Sequence, residues 1–349
     1  MKITGVKAVY PRYRHVVPSW RTHLWQIVVR VDTDAGVFGW GFGGAGKAAV
    51  EVVNGHLREL LLGREVGSIE DIARLWDELY RASAPYGRRG VGIMALSGVD
   101  LALWDLLGKA ENKRVCELLG GVQRQSVRAY ASGMDIAWYR DLGFGAHKAS
   151  LKRQGRADDS EQAVAWARRA RQLLGPEALL MTDGYMSWDA DFTLEMAQVL
   201  EPYRIHWFED VLLPDEVEGQ AALRAAIKPV LLAGGEHEFT HYGFAEVARA
   251  GALDIWQPDL TWCGGMTAAR RIVELAARHA VPVVPHRGGE VWGLHLIAAG
   301  ACEDLAELVL GGREDERDRV WLGEPKPVEG YLELPEGAGF GVRVNEEIL

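Results

Sequence analysis

The middle of the chain, from Leu179 to Gly289, is a series of short apolar runs that each end in a charged or polar side chain. Each run has the length of a buried strand. The residues that end these runs are Asp183, Glu209, Glu236, Asp259 and His286. Asp183 and Glu209 are 26 residues apart, and Glu209 and Glu236 are 27 apart. This interval accommodates one strand, one helix and two loops, which is the repeat of a βαβ unit.

Eight such runs, mostly separated by helical segments, predict an α/β fold of the (β/α)8 TIM-barrel type. An open doubly wound sheet is the alternative, and the unbroken alternation favours the closed barrel. The predicted strands are Val127–Ala131, His147–Leu151, Leu179–Thr182, Ile205–Phe208, Val230–Ala233, Leu253–Gln257, Val281–Pro285 and Leu305–Leu310. The predicted helices are Asp159–Leu174, Phe192–Leu200, Glu216–Ala226, Gly243–Ala250, Thr267–His279 and Val291–Gly300.

The first 125 residues have a different order, with strands first and helices afterwards, which predicts an α+β capping domain. We place this domain at 1–125, expect the tail 320–349 to join it, and place the barrel domain at 126–319. The predicted strands, which form an antiparallel meander, are Lys2–Val9, Leu24–Asp32 and Val37–Gly41. The predicted helices are Ala48–Leu62, Ile69–Ser83 and Gly92–Gly108. The glycine-rich link after the third strand lacks the βαβ context of a dinucleotide-binding loop.

Composition excludes several classes of function. The net charge of −10 disfavours binding to a phosphate backbone, so we expect no nucleic-acid partner. The opening residues MKITGVKAVY lack the apolar core of a secretory signal, and no uncharged apolar run reaches the length of about 18 residues that marks a membrane span. The three cysteines are scattered, which is typical of a reducing compartment. We therefore expect a cytoplasmic protein that acts on small molecules, with no membrane partner.

The first three polar strand ends are carboxylates on consecutive predicted strands. Asp183, Glu209 and Glu236 would converge over the barrel mouth, where their mutual repulsion is costly unless a hard cation lies among them. Mg²⁺ prefers oxygen ligands and keeps positions open for water and substrate. The sequence therefore predicts a Mg²⁺ site at these three residues, although each carboxylate taken alone could be an ordinary surface or helix-capping acid.

The next two strand ends are Asp259 and His286. An aspartate beside a histidine orients the imidazole and favours its charged form, as a general acid or base near neutral pH requires. We expect this pair to move a proton. A lone histidine is more often structural, and the adjacency of the two predicted strands favours the catalytic interpretation.

Together these motifs resemble the enolase superfamily, and within it the mandelate racemase subgroup. The stretch SGVDLALWDLLGK (97–109) is similar to the helical motif before that family's barrel, and the three carboxylates and the Asp–His pair match its metal ligands and dyad. The segments GEHE (235–238), QPD (257–259), WCGG (262–265) and VVPH (283–286), with the tail, resemble the sugar-acid dehydratases of the L-rhamnonate dehydratase type. The resemblance implies a TIM barrel with a capping domain, bound Mg²⁺ and a homo-oligomer.

Two departures from the family pattern bear on the reaction. Glu209-Asp210-Val211 stands where most members have Glu-Glu-Pro, and Lys148-Ala149-Ser150 stands where many have Lys-x-Lys. The second lysine is the opposing base of the family's racemases, so two-base racemisation is disfavoured. Dehydration needs only the one dyad. A racemase or epimerase, a cycloisomerase and a non-catalytic Mg²⁺-binding barrel remain the alternatives.

The resemblance also implies roles for other residues. Lys148 would add positive charge near a substrate carboxylate as a catalytic residue, Glu307 would contact that carboxylate, and His237 would face the substrate or support the metal ligand beside it. The loop 11–23 would read the substrate through Arg21 and His23, or would simply be solvated. The expected reaction is Mg²⁺-dependent dehydration of a sugar acid to a 2-keto-3-deoxy acid.

Overall fold

The chain begins with an antiparallel sheet, described here from a computed structural model that covers residues 1–16, 19–310 and 319–349. Its strands are β1 (Ile3–Val9), β2 (Ile27–Thr33) and β3 (Phe38–Gly43), paired in the order of the sequence. The predicted meander is confirmed. The start predicted for the second strand, Leu24, is wrong because Arg21–Leu24 is a single helical turn, α1. The hydroxyl of Tyr10 donates to the carbonyl of Arg21 at 2.9 Å, so a tertiary contact overrides the local strand preference there.

Helices follow the sheet, as predicted. They are α2 (Gly46–Val52), a π-helical segment (Val53–Leu57), α3 (Arg58–Leu61), α4 (Ile69–Gly87), α5 (Val91–Glu111) and α6 (Val115–Leu118). The helix predicted for 48–62 therefore runs without a break in the chain of helical residues, but its middle part is π-helical and not α-helical.

Helix α5 packs unusually closely on β3. A Cβ atom on Gly39 or Gly41 would lie 2.0 Å from the carbonyl oxygen of Ala102 or Gly98 on α5. Gly43, on the same face of the strand, meets the oxygen of Met94 in the same way. Alternate glycines on one strand therefore let the backbones of strand and helix touch.

Helix α5 is also fixed to the barrel by buried hydrogen bonds. The Asp100 carboxylate accepts from the amide and hydroxyl of Thr267 at 2.9 and 2.6 Å, and the Ser97 hydroxyl accepts from the amide of Gly264 at 2.8 Å. Burial raises the pKa of Asp100 to about 7, although Thr267 opposes this. By length and hydropathy α5 could cross a membrane, but 89% of its apolar window lies inside the protein, as expected of a core helix.

The second part of the chain alternates strands and helices. Its strands are β4 (Ser126–Ser132), β5 (Ala146–Ser150), β6 (Leu179–Asp183), β7 (Trp207–Glu209), β8 (Leu231–Gly234), β9 (Ile255–Trp256) and β10 (Ala306–Val309). Its helices are α7 (Ile136–Asp141), α8 (Asp159–Leu174), α9 (Ala190–Val199), α10 (Val217–Ala226), α11 (Thr240–Ala250), α12 (Gly265–Arg278) and α13 (Val291–Ala298). The strands are parallel and consecutive, and β10 pairs with β4, so the TIM-barrel fold is confirmed.

The predicted seventh barrel strand, 281–285, is not a strand. It makes one bridge, between Val283 and Trp256, and the Val283 carbonyl accepts from the amide of Glu303 at 3.0 Å. Pro282 and Pro285 lack the N–H groups that a strand ladder needs. The segment nevertheless fills the gap between β9 and β10, so it still delivers His286 to the mouth.

Apolar side chains fill the barrel interior and form a buried cluster of their own. Its members are Tyr130, Ala146, Met181, Trp207, Ala233, Ile255, Val284 and Leu305. Six of them lie on strands, Val284 lies in the seventh segment and Leu305 directly precedes β10, so all eight repeats contribute to one layer below the polar strand ends.

The tail contacts both parts of the chain. It carries β11 (Trp321–Leu322), β12 (Tyr331–Glu333) and β13 (Arg343–Val344). β12 pairs with β4 of the barrel, which the sequence did not indicate, whereas the amide of Phe340 donates to Asp105 on α5. The domain boundaries at 125 and 319 therefore stay predictions.

Two buried histidines predict a loss of stability in acid. Burial lowers the pKa of His147 and of His295 to about 4, and Nδ1 of His295 already accepts from the amide of Cys116. The unfolded chain binds these two protons below about pH 6.5, whereas the folded protein binds them only near pH 4. The stability that the two neutral histidines contribute is therefore fully present above pH 6.5 and is lost as the pH falls toward 4. We expect each of the two histidines to lower the free energy of unfolding by on the order of 3 kcal/mol at pH 4.5. Urea unfolding at pH 7.5 and 4.5 measures this; His295→Gln should flatten the dependence, and the exposed His279→Gln should not.

Candidate active site

The polar strand ends meet at one mouth because the parallel strands are in register. Ser150 lies opposite Asp183 on the neighbouring strand, and Asp183 lies opposite Glu209 on the next. Glu236 comes two residues after the end of β8, and Asp259 three residues after β9. All of these groups therefore lie at the carboxyl ends of the strands, where barrel active sites are built.

Lys148 is buried between two carboxylates. Its ammonium group contacts Oε1 of Glu209 and lies 2.7 Å from Oε1 of Glu307, and none of the three side chains is more than 3% exposed. Burial alone would lower the pKa of Lys148, but the two carboxylates raise it well above its ordinary value. Burial likewise opposes ionisation of Glu307, yet Lys148 lowers the pKa of Glu307 to about 2. Lys148 and Glu307 are therefore charged near neutral pH, whereas burial raises the pKa of Glu209 and Lys148 opposes that rise.

The second oxygen of Glu209 is also occupied. It accepts from Nε1 of Trp207 at 3.0 Å and from Nε2 of Gln257 at 2.7 Å. With Lys148 on the other oxygen, three donors use three of the about four lone-pair sites of a carboxylate. Glu209 can therefore give one further oxygen contact to a ligand without losing a partner.

Further carboxylates crowd the same side of the mouth. Burial, and then Glu209, raise the pKa of Asp183 to about 7. Burial and the charge of Glu236 raise the pKa of Asp210 well above its usual range, and its buried Oδ2 has no hydrogen-bond partner among the described residues. Ligand atoms of Asp210, Glu236 and His237 lie within 4.8 Å of one another. An oxygen-rich group with an unpartnered buried oxygen fits a hard divalent cation.

Asp210 is the member of this group that sequence reasoning missed. The sequence singled out Asp183, Glu209 and Glu236, and of these three only Glu236 lies in the compact set with Asp210 and His237. Asp210 adopts a left-handed φ of 43°, which turns its side chain after the strand ends at Glu209. Its position directly after an assigned ligand was the available signal.

His286 is held between acidic side chains. Its Nδ1 lies 2.8 Å from Oδ2 of Asp259, and its Nε2 lies 3.2 Å from Oε2 of Glu236 and 3.9 Å from Oε2 of Glu307. Burial would lower the pKa of His286, but the surrounding carboxylates, Glu236 first, raise it to about 10. Burial would raise the pKa of Asp259, but Arg287 and His286 lower it to about 2. The geometry leaves Nε2 as the nitrogen that can exchange a proton with a substrate.

The fold and these groups can be compared with known proteins. Residues 12–120 match the family model described as mandelate racemase / muconate lactonizing enzyme, N-terminal domain, and residues 134–348 match the enolase C-terminal domain-like model. A relative named L-rhamnonate dehydratase, from Saccharopolyspora erythraea, is 35% identical over 98% of this chain and 89% of its own.

The chain belongs to the mandelate racemase / muconate lactonizing enzyme family. The resemblance predicted from the motifs is thereby confirmed, and with it membership of an enzyme family.

Solved structures of this enolase-superfamily type agree in fold. Rhamnonate dehydratase from Gibberella zeae, complexed with Mg, superposes with a TM-score of 0.90 at 28% identity, covering 99% of this chain and 95% of that one. The 3,6-anhydro-D-galactonate cycloisomerase from Zobellia galactanivorans gives a TM-score of 0.87 at 30% identity, covering 99% and 98%. Relatives with this fold thus carry at least two named activities.

The N-terminal segment of this family member reaches the mouth through aromatic rings. Trp20 lies 6.5 Å from the ring of Trp262, and Trp262 stacks on His237 at 5.8 Å. Arg21, in contrast, stacks on the ring of Trp25 at 4.7 Å, and His23 is exposed. In the described part of the chain, no ion pair joins either side chain to a barrel carboxylate, so the structure does not bring Arg21 and His23 together with the other predicted site residues.

Other residues at the mouth were not foreseen. The ammonium of Lys152 lies 3.6 Å from the centre of the Tyr185 ring, and that ring lies 6.3 Å from His237. Tyr185 has a left-handed φ of 49°, which is uncommon for such a side chain. Arg287, immediately after the histidine of the dyad, is 8% exposed and was not assigned a role from sequence.

Proposed function

We propose that this protein is a Mg²⁺-dependent carbon–oxygen lyase that dehydrates a sugar acid of the aldonate class, L-rhamnonate among the candidates, to a 2-keto-3-deoxy acid. The observation that carries the proposal is the one-sided arrangement of bases. His286, paired with Asp259, is available on one side of the mouth, and Ser150 occupies the position of the opposing lysine. The 35% identity to an L-rhamnonate dehydratase supports the same reaction class.

Asp183, Glu209 and Glu236 are proposed to hold the metal, with Asp210 and His237 next to them. When bound, the cation would stabilise the negative charge that develops on a substrate carboxylate. A dication among these carboxylates would also oppose their effect on the pKa of His286, and so favour the neutral imidazole that a base requires.

The chain's own residues would carry the proton. Nε2 of His286 takes the hydrogen on the carbon α to the carboxylate, and Asp259 holds the ring through Nδ1 and stabilises the imidazolium. The electron pair released at the α carbon then expels the β hydroxyl, which leaves as water with the proton returned by His286. The resulting enol tautomerises to the 2-keto-3-deoxy acid, so one water is lost and nothing is oxidised.

Lys148 and Glu307 are proposed to meet the carboxylate end of the substrate. The ammonium of Lys148 supplies positive charge in a dry site, where such a charge counts most. Glu307, with its pKa near 2, would accept hydrogen bonds from substrate hydroxyl groups. Glu307 would donate to the substrate carboxylate only in its protonated form, which requires Lys148 to turn away so that the pKa of Glu307 rises. His237 is proposed to face the substrate through its exposed edge, and Arg21 and His23 would do so only after the N-terminal segment moves.

Cycloisomerisation is the second candidate, since the chain is 30% identical to a cycloisomerase of the same fold and that reaction also needs only one base. Cytoplasmic location and a homo-oligomeric state are further proposals; the three buried, unbonded cysteines support a reducing compartment.

One experiment separates these functions. The protein is first freed of metal with a chelator. It is then incubated with each of a panel of aldonic and 3,6-anhydro aldonic acids, once with Mg²⁺ and once without, and the products are identified by NMR. We expect a 2-keto-3-deoxy acid from at least one aldonic acid, only with the metal. An epimerised or ring-opened acid would transfer the assignment to an isomerase, and no product despite retained Mg²⁺ binding would overturn catalysis altogether.

A further inference from the structure

The hydroxyl of Thr261 links the dyad to the other end of the chain. Thr261 is 1% exposed, and its Oγ1 lies 2.6 Å from Oδ1 of Asp259. The same oxygen lies 2.9 Å from Nε2 of Gln26 and 2.9 Å from Nη2 of Arg287. The backbone amide of Thr261 also donates to Oδ1 of Asp259, at 2.7 Å. One hydroxyl thus contacts the N-terminal half, the residue after the catalytic histidine, and the dyad aspartate.

The proton directions in this network are fixed by chemistry. An indole N–H can only donate, and Nε1 of Trp262 lies 3.0 Å from Oε1 of Gln26, so the Gln26 amide turns its NH₂ group to Thr261. A guanidinium also only donates. The two lone pairs of the Thr261 oxygen are therefore taken by Gln26 and Arg287, and its single proton must go to Asp259.

Arg287 lies against the other side of the aspartate as an ion pair, without a hydrogen bond from its Nε to any described residue. Its Nε lies 3.3 Å from Oδ2 of Asp259, the oxygen to which His286 donates, and its Nη2 lies 3.1 Å from Oε2 of Glu290. Its guanidinium lies 5.7 Å from the ring centre of Trp25 and the same distance from that of Trp262. Arg287 is therefore packed between a ring of the N-terminal segment and a ring of the barrel.

Gln26 and Trp25 come directly after α1 and precede β2. Both ends of the network therefore depend on the N-terminal segment that lies across the mouth. We propose that Gln26 and Arg287 are positioning residues that act through Thr261, so that the dyad keeps its working geometry only while this segment is in place. The proposal rests on the proposed function, because it gives the network its purpose of orienting His286.

The expected size of the loss in rate follows from the geometry of this network. Loss of the Gln26 amide removes one of the two donors that fix the Thr261 side chain, so the hydroxyl can shift together with the Asp259 carboxylate that it donates to, and the imidazole shifts with them. A displacement of about 1 Å at a catalytic group can cost on the order of 10²-fold in rate. Substrate binding should change little, because neither Gln26 nor Thr261 is assigned a contact with the substrate.

Gln26→Leu tests this. We expect kcat to fall about 10- to 100-fold with KM changed less than about threefold, and the isotope effect on kcat for a substrate deuterated at C2 to increase. The matched control is Gln220→Leu on α10, a buried glutamine that donates to the carbonyl of Leu213. An unchanged kcat, a change in KM alone, or an equal loss in the control overturns the proposal.

A second variant and a measurement without substrate keep the proposal testable if Gln26→Leu does not fold or no substrate is found. Gln26→Glu keeps the oxygen that accepts from Trp262 but removes the N–H group that donates to Thr261. If Gln26→Leu does not fold, the same kinetic measurements on Gln26→Glu test the proposal. The Nδ1 proton between His286 and Asp259 should give a downfield NMR resonance that His286→Asn removes. We expect it to shift or broaden in the Gln26 variants, and an unchanged resonance contradicts the network. If the wild type dehydrates no acid, the proposed function fails, while this resonance still decides on the positioning.

Discussion

Replacing His286 with asparagine is expected to lower kcat for dehydration by about 10³-fold, because it removes the group that takes and returns the proton. Asparagine can still donate to Asp259, which limits structural damage. It has no nitrogen in the place of Nε2, which lies 3.2 Å from Glu236 at the centre of the site. The measurement is the initial rate of 2-keto-3-deoxy acid formation, with Mg²⁺ affinity followed by calorimetry.

The control for His286 is His241→Asn. His241 is a partly buried histidine whose ring packs against Tyr242 at 4.0 Å and Trp76 at 5.9 Å, away from the dyad. It should retain the wild-type rate. A His286→Asn variant that keeps full activity would remove this residue from the mechanism, whereas loss of Mg²⁺ binding together with activity would assign it to metal binding.

Replacing Lys148 with methionine should abolish activity and also destabilise the fold. Without the ammonium, the buried carboxylates of Glu209 and Glu307 lose their common counter-charge. Breaking a buried ion pair on one side costs about 3–5 kcal/mol. Urea unfolding at pH 7.5 measures the loss of stability, and the dehydration assay measures the loss of rate.

Adding Glu307→Gln to Lys148→Met should recover part of the stability but none of the activity, because it removes one of the two unpaired charges. The matched control is Lys109→Met, since Lys109 also pairs with a buried carboxylate, that of Asp105, but is 27% exposed and far from the mouth. We expect a smaller cost there and a normal rate. Equal effects at both lysines would show that the role of Lys148 is only structural.

The repeating pattern of the sequence was sufficient for the barrel, because each buried strand must end where its polar residue begins. Even the seventh repeat, which two prolines prevent from forming a ladder, placed Asp259 and His286 within 2.8 Å of each other. The repeating pattern indicates where each strand ends, and the geometry of a barrel then brings these strand ends together.

Partners across the chain could not be predicted in this way. Gln26 and Thr261 are 235 residues apart, and nothing in either local pattern points to the other. Lys148 was expected to face the substrate, yet its charge is shared by two carboxylates, which depends on side-chain directions that sequence does not give. Arg21 was expected at the substrate, but two neighbouring tryptophans stack on its guanidinium.

The glycine face of β3 has a consequence for engineering. Because Gly39 and Gly41 let α5 touch the sheet, and Asp100 on α5 holds the helix that follows the Asp259 loop, the capping part and the barrel form one mechanical unit. A chimera that takes its capping part from one relative and its barrel from another would keep the contact between β3 and α5, but it would lose the Asp100–Thr267 and Gln26–Thr261 bonds if the new barrel lacks those threonines. Transplanting substrate preference within the family should therefore succeed only when the recipient barrel carries Thr261 and Thr267, the partners of Gln26 and Asp100.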